Sequence, residues 1–184
     1  RVHHAYLFIG TRGVGKTSMA RIFANELNNP ENKDDVAAAI FAGQDTDVIE
    51  IDAASNTGVD NTRELIANSA YLPMRGHYKI YILDEVHMLS MQAFNALLKT
   101  MEEPPEHVKF ILCTTESHKV PATIQSRCQR FDLRNIPATQ IVDHLKSLIK
   151  SEGFKADEEL IFTLARLGNG SMRDALSLLD RLLA

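Results

Sequence analysis

The stretch "AYLFIGTRGVGKT", Ala5–Thr17, decides the fold. Five apolar or aromatic residues run straight into G-x-x-x-x-G-K-[ST], and the residues after it, "SMARIFANELN", carry apolar positions at helical spacing. A buried strand, a glycine-rich loop and a helix in that order make a phosphate-binding loop. Its backbone N–H groups turn inward, and the helix that follows adds the positive end of its dipole. Gly10, Thr11, Arg12, Gly13, Val14 and Gly15 form the loop, while Lys16, Thr17 and Ser18 open the helix. In that context Lys16 is expected to reach the β- and γ-phosphates of a nucleotide, and the Thr17 hydroxyl to ligate Mg²⁺.

Outward from this loop the same alternation recurs. "VIEIDA" (Val48–Ala53), "KIYILDE" (Lys79–Glu85) and "KFILCTT" (Lys109–Thr115) read as buried strands. "DNTRELIANSAYL" and "SMQAFNALLKTMEEPP" have helical periodicity, the latter with Ser90 as cap and Pro104–Pro105 as stop. Between Asn28 and Asp47 the chain is polar at both ends around a short alanine-rich helix. The expected fold class is α/β, a parallel sheet flanked by helices. From about Leu133 only helical patterns follow, with Ser171 positioned to cap the last one after "GNG". Two domains are expected: an α/β nucleotide-binding domain over 1–132 and a small all-α domain over 133–184.

Strand ends carry the remaining chemistry, because ligands of open parallel sheets bind at the carboxyl edge. Asp84 and Glu85 close an apolar strand there. Taken alone, such a pair is equally a solvated turn; behind a phosphate loop it reads as a Mg²⁺-holding aspartate and a glutamate that orients and polarises the attacking water. Thr115, at the end of the next strand, is placed to hydrogen-bond a γ-phosphate or that water.

Composition narrows the class. The 184 residues are 45% apolar, enough for a real core. Twenty basic against twenty-four acidic residues give a net charge of −4, so bulk charge offers no nucleic-acid signal. The two cysteines, Cys113 and Cys128, lie too far apart in sequence for a zinc knuckle or a disulfide framework, which suits a reducing cytosol. There is no run of about 18 apolar residues and no signal-peptide layout, so a cytoplasmic protein is expected. A start at Arg1 suggests a fragment whose N-terminal segment is missing.

The motifs "HHAYLF", "GTRGVGKT", "IEIDAASN", "DEVHMLS", "FNALLKTMEEPPEHVKFIL", "CTTE", "SRCQRF" and "GSMRDALSLLD", in this order over nearly the whole chain, resemble the gamma/tau family of bacterial DNA polymerase III. These are ATPase subunits of the sliding-clamp loader, in the clamp-loader branch of the AAA+ superfamily. The intact phosphate loop separates the chain from the related delta-prime type. The resemblance implies an AAA+ P-loop NTPase with a helical lid, using ATP and Mg²⁺, within a holoenzyme classed as a DNA-directed DNA polymerase, a nucleotidyltransferase. It aligns Thr115 with sensor 1, Arg173 with sensor 2 and Arg127, in "SRC", with an arginine finger acting in trans on a neighbouring subunit. It also offers Arg63 as a contact to DNA phosphates, and Lys119 is a further surface candidate for one. Implied partners are the delta and delta-prime subunits, further gamma/tau copies, the sliding clamp and primer-template DNA, with no membrane.

Two departures stand out. The family's four-cysteine zinc module, which usually follows the phosphate-loop helix, has no cysteines here between Leu27 and Val48, so zinc is not expected. Both ends also look curtailed, the lid included, so this stretch alone is expected to be monomeric or weakly associated and a poor ATPase. Two other readings stay open: an AAA+ ATPase of Holliday-junction or initiator type, and a non-hydrolysing scaffold subunit of the loader.

Overall fold

The computed structural model describes residues 2–55, 65, 69 and 71–183. It divides into two compact units, Arg1–Ile9 with Lys16–Asp132, and Gly10–Gly15 with Leu133–Ala184.

The first unit is a sheet in which, among the described residues, five strands pair in parallel: β1 (Ala5–Ile9), β2 (Val48–Asp52), β3 (Lys79–Asp84), β4 (Val108–Thr114) and β5 (Gln129–Asp132), in the order β2-β3-β4-β1-β5. Side chains alternate between faces, and each face finds a helix. On one, Ala5, Leu7, Tyr81, Leu83, Phe110 and Leu112 form a single core with Ala93, Phe94, Leu97 and Met101 of α3 (Met91–Glu102). On the other, Tyr6 and Phe8 meet Phe23 of α1 (Lys16–Asn28), the Tyr6–Phe23 rings edge to face at 4.7 Å. Burial on both sides is why these strands read as unbroken apolar runs.

Helix α3 starts where Ser90 accepts the N–H of Ala93 at 3.2 Å, and it ends at Glu102, before Pro104–Pro105. The alanine-rich segment forms α2 (Asp34–Phe41). The expected helix "DNTRELIANSAYL" falls mostly outside the described residues; within it Leu65 and Ser69 are helical and buried. A short helix, α4 (Ala122–Gln125), precedes β5. Strand β5 has no counterpart in the sequence reading. Its four residues, "QRFD", are all exposed, so no apolar run marks them, and they become a strand by pairing Tyr6↔Gln129 through Ile9↔Asp132.

In the second unit α5 (Ala138–Ser151), α6 (Glu158–Leu167) and α7 (Met172–Leu183) pack around Ile141, Leu145, Ile149, Ile161, Leu164, Ala175 and Leu179. Ser171 caps α7 by accepting the N–H of Asp174 at 3.2 Å.

Candidate active site

The glycine loop takes its shape from backbone that only glycine adopts without strain. Gly13 and Gly15 have φ of 81° and 100°. Gly13 is also confined, since a Cβ there would lie 1.9 Å from Ser171 Oγ and 3.2 Å from Arg173 Cβ. The loop is tied to its own unit by hydrogen bonds: the Met172 N–H donates to the Gly13 carbonyl at 3.0 Å, and Thr11 Oγ1 donates to Asn135 Oδ1 at 2.6 Å. Arg173, exposed in the first turn of α7, therefore stands beside Gly13.

In the sheet unit the parallel register brings three strand ends to one edge. Ile9 lies opposite Thr114 and Leu83 opposite Leu112, so β1, β3 and β4 finish together. Lys16 is buried at the first position of α1. Thr17, next to it, donates its hydroxyl to Asp84 Oδ2 at 2.6 Å. The other oxygen, Asp84 Oδ1, accepts the Glu85 N–H at 2.9 Å. Glu85 itself has φ 50° and ψ 42°, a left-handed conformation that costs a non-glycine residue of order 1–3 kcal/mol and concentrates at functional sites. The chain then enters a 3-10 turn, Val86–Met88.

This donor set suits a hard divalent cation. A hydroxyl and a carboxylate oxygen already lie together, and Mg²⁺ binds through one or two carboxylates plus phosphate oxygens, not in an all-protein cage. Among the described residues no cluster of three or more His, Cys, Asp or Glu side chains is arranged to hold a metal by itself.

Beside the carboxylates lies a residue the sequence reading passed over. His87 is almost wholly buried; its Nδ1 is 2.9 Å from Thr114 Oγ1, and its Nε2 is 3.4 Å from Glu85 Oε2 and 3.3 Å from Glu116 Oε2. The only signal for it in the sequence is a polar residue two places after Glu85 in an otherwise apolar turn. Thr114 is fully buried and engaged with this ring, while Thr115, the threonine singled out from the sequence, follows it half-buried.

Arg127 is held away from this cluster, and Lys119 meets it through Glu116. Arg127 donates to the Thr123 carbonyl at 2.8 Å and to Glu102 Oε1 at 3.0 Å. Lys119 pairs with Glu116 Oε1 at 2.9 Å. Arg63 lies outside the described residues. Burial pushes the Cys128 thiol up to about 12 and the Cys113 thiol higher still, which leaves both as packing groups.

Over its whole length the chain is similar to DNA polymerase III subunits. The family described as "DNA polymerase III, delta subunit" matches residues 1–137, and "DNA polymerase III clamp loader subunit, ATPase lid domain" matches residues 140–184. The tau/gamma subunit of DNA polymerase III from Haemophilus influenzae is 51% identical over all of this chain and 28% of its own length. The tau subunit from Bacillus subtilis is 51% identical over 97% of this chain and 33% of its own. This chain thus spans about a third or less of those two relatives. Among solved structures, the Holliday junction branch migration motor RuvB from Thermotoga maritima superposes with a TM-score of 0.69 at 17% identity, covering 98% of this chain and 54% of that one. A gamma-subunit-related protein from the same organism gives 0.63 at 24%, covering 88% and 53%. At such identities the likeness is one of fold alone, the parallel sheet and the helices that accompany it. No helix among the described residues is long and apolar enough to cross a membrane.

Proposed function

The chain belongs to the DNA polymerase III gamma/tau family of clamp-loader ATPases, and on that premise we propose that it is the ATP-hydrolysing motor of a loader that places the sliding clamp on primed DNA for replication. The observation that carries this is the Thr17–Asp84 hydrogen bond at 2.6 Å, which joins the phosphate-loop helix to the strand-end carboxylate. An assembly-only scaffold has no need of that pairing, nor of an intact Lys16 and Glu85.

Residues 1–132 form the ATPase domain and 133–184 the lid. Gly10, Thr11, Arg12, Gly13, Val14, Gly15 and Ser18 cradle the phosphates through backbone and hydroxyl groups, and Lys16 adds a fixed positive charge. Thr17 and Asp84 would hold Mg²⁺, which would supply charge neutralisation at the phosphoryl oxygens. Glu85 orients and polarises the attacking water, and Thr115 hydrogen-bonds the water or the γ-phosphate. Arg173 contacts the nucleotide of its own subunit, a role supported by its place beside Gly13. Arg127 reaches the γ-phosphate of an adjacent subunit. Zinc has no part.

The partners are delta, delta-prime and further gamma/tau copies, the clamp and primer-template DNA, in the cytoplasm. Glu85→Gln in a reconstituted loader tests the reading. ATP binding should persist while turnover falls by roughly 10²-fold or more, the usual contribution of a general base. Unchanged turnover would remove Glu85 from the mechanism, whereas a reconstituted wild-type loader that turns over no ATP would remove the ATPase reading itself.

A further inference from the structure

We propose that His87 is a positioning residue that holds the Glu85 carboxylate and couples it to the end of β4; this rests on the ATPase reading above. The geometry is a relay between two strand ends. Thr114 Oγ1 accepts the Glu116 N–H at 3.0 Å and lies 2.9 Å from His87 Nδ1, to which its own O–H can donate in the tautomer protonated at Nε2. With Nδ1 as acceptor, the ring proton sits on Nε2. Nε2 lies 3.4 Å from Glu85 Oε2 and 3.3 Å from Glu116 Oε2, one ring nitrogen between two carboxylates.

The two acids are held differently. Glu116 also pairs through its other oxygen with Lys119 at 2.9 Å, whereas Glu85 rides on a left-handed backbone turn directly after Asp84. The imidazole, only 5% exposed, thereby restricts where Glu85 can point. Because Thr114 orients the ring and immediately precedes Thr115, a shift at the end of β4 is transmitted to Glu85 through His87.

The test uses the full-length chain with its loader partners, clamp and primed DNA. His87→Leu should lower kcat by about tenfold or more, with KM for ATP and the nucleotide Kd within about twofold, as expected when a residue orients a catalytic group without touching substrate. His87→Gln, which carries an amide N–H near the reach of Nε2, should restore most of the rate. Thermal unfolding reports whether each variant folds. Thr114→Val, which keeps the volume and removes the hydroxyl that orients the ring, carries the same expectation should His87→Leu fail to fold. Wild-type kcat in His87→Leu or Thr114→Val, alongside an inactive Glu85→Gln control, would reduce His87 to core packing and leave the ATPase reading standing. An active Glu85→Gln would instead take Glu85, and with it the role of His87, out of the mechanism, and only absence of turnover in the wild-type loader would overturn the ATPase reading.

Discussion

Arg127 shows how a residue's role depends on what it can release. Its guanidinium is held by Glu102 and the Thr123 carbonyl, all at the surface, and exposed ion pairs of this kind are worth about 0–1 kcal/mol. A phosphate carries more charge than Glu102 and accepts the same planar fork of donors, so the exchange is favourable. Arg127→Ala should therefore leave ATP binding by its own subunit and the melting temperature nearly unchanged. Hydrolysis at the neighbouring site in the assembled loader should slow roughly 10³-fold, read by single-turnover kinetics on a ring with one mutant position. Slowing confined to the mutated subunit's own site would place the finger in cis. Lys16, Thr17, Asp84 and Glu85 were legible at this scale because loop spacing and strand ends are local features. His87 and Glu102 were not, because their partners, Thr114, Glu116 and Arg127, lie 15 or more residues away in sequence.

At the scale of elements, the junction of β2 with the approach to β3 rests on one buried acid. Asp47 accepts the backbone N–H groups of Met74, Arg75 and Gly76 at 2.6–2.7 Å and lies 3.7 Å from the Lys79 ammonium, its side chain 1% exposed. Burial alone would raise its pKa, but the three N–H donors and Lys79 outweigh that and leave it below its ordinary value. The sign follows: a depressed folded-state pKa contributes stability that is present above the ordinary value of 3.8 and is lost as pH falls through the lower folded value. Asp47→Ala should cost roughly 3 kcal/mol near neutral pH by orphaning buried donors, read by denaturant unfolding. The difference from wild type should shrink in acid below that range; a gap independent of pH would assign the effect to packing. Caps and stops were readable in this chain: Ser90, Ser171 and the prolines after α3 act within a few residues. Strand β5 and the Asp47 bridge were not, since neither has a periodic or apolar signature and each exists only through pairing with a distant segment.

For the whole molecule, a net charge of −4 gives DNA no general attraction, so any phosphate contact depends on where individual cations stand in the assembly. Lys119 is the described candidate, and it is already paired with Glu116. In the assembled loader Lys119→Ala should lower the log–log salt slope of DNA binding by about 0.9 if it meets one duplex phosphate. An unchanged slope would strike it from the interface. By itself the sequence determined the parallel α/β class, the helical region after Leu133, the phosphate loop and the strand-end acids, because apolar period, glycine spacing and caps act between near neighbours. Only the tertiary structure decided the exposed edge strand β5, the grouping of Gly10–Gly15 with the helical unit, the Asp47 bridge and the place of His87 between two glutamates. Each of those depends on which distant segments the folded chain brings within 3 or 4 Å, a distance no local pattern encodes.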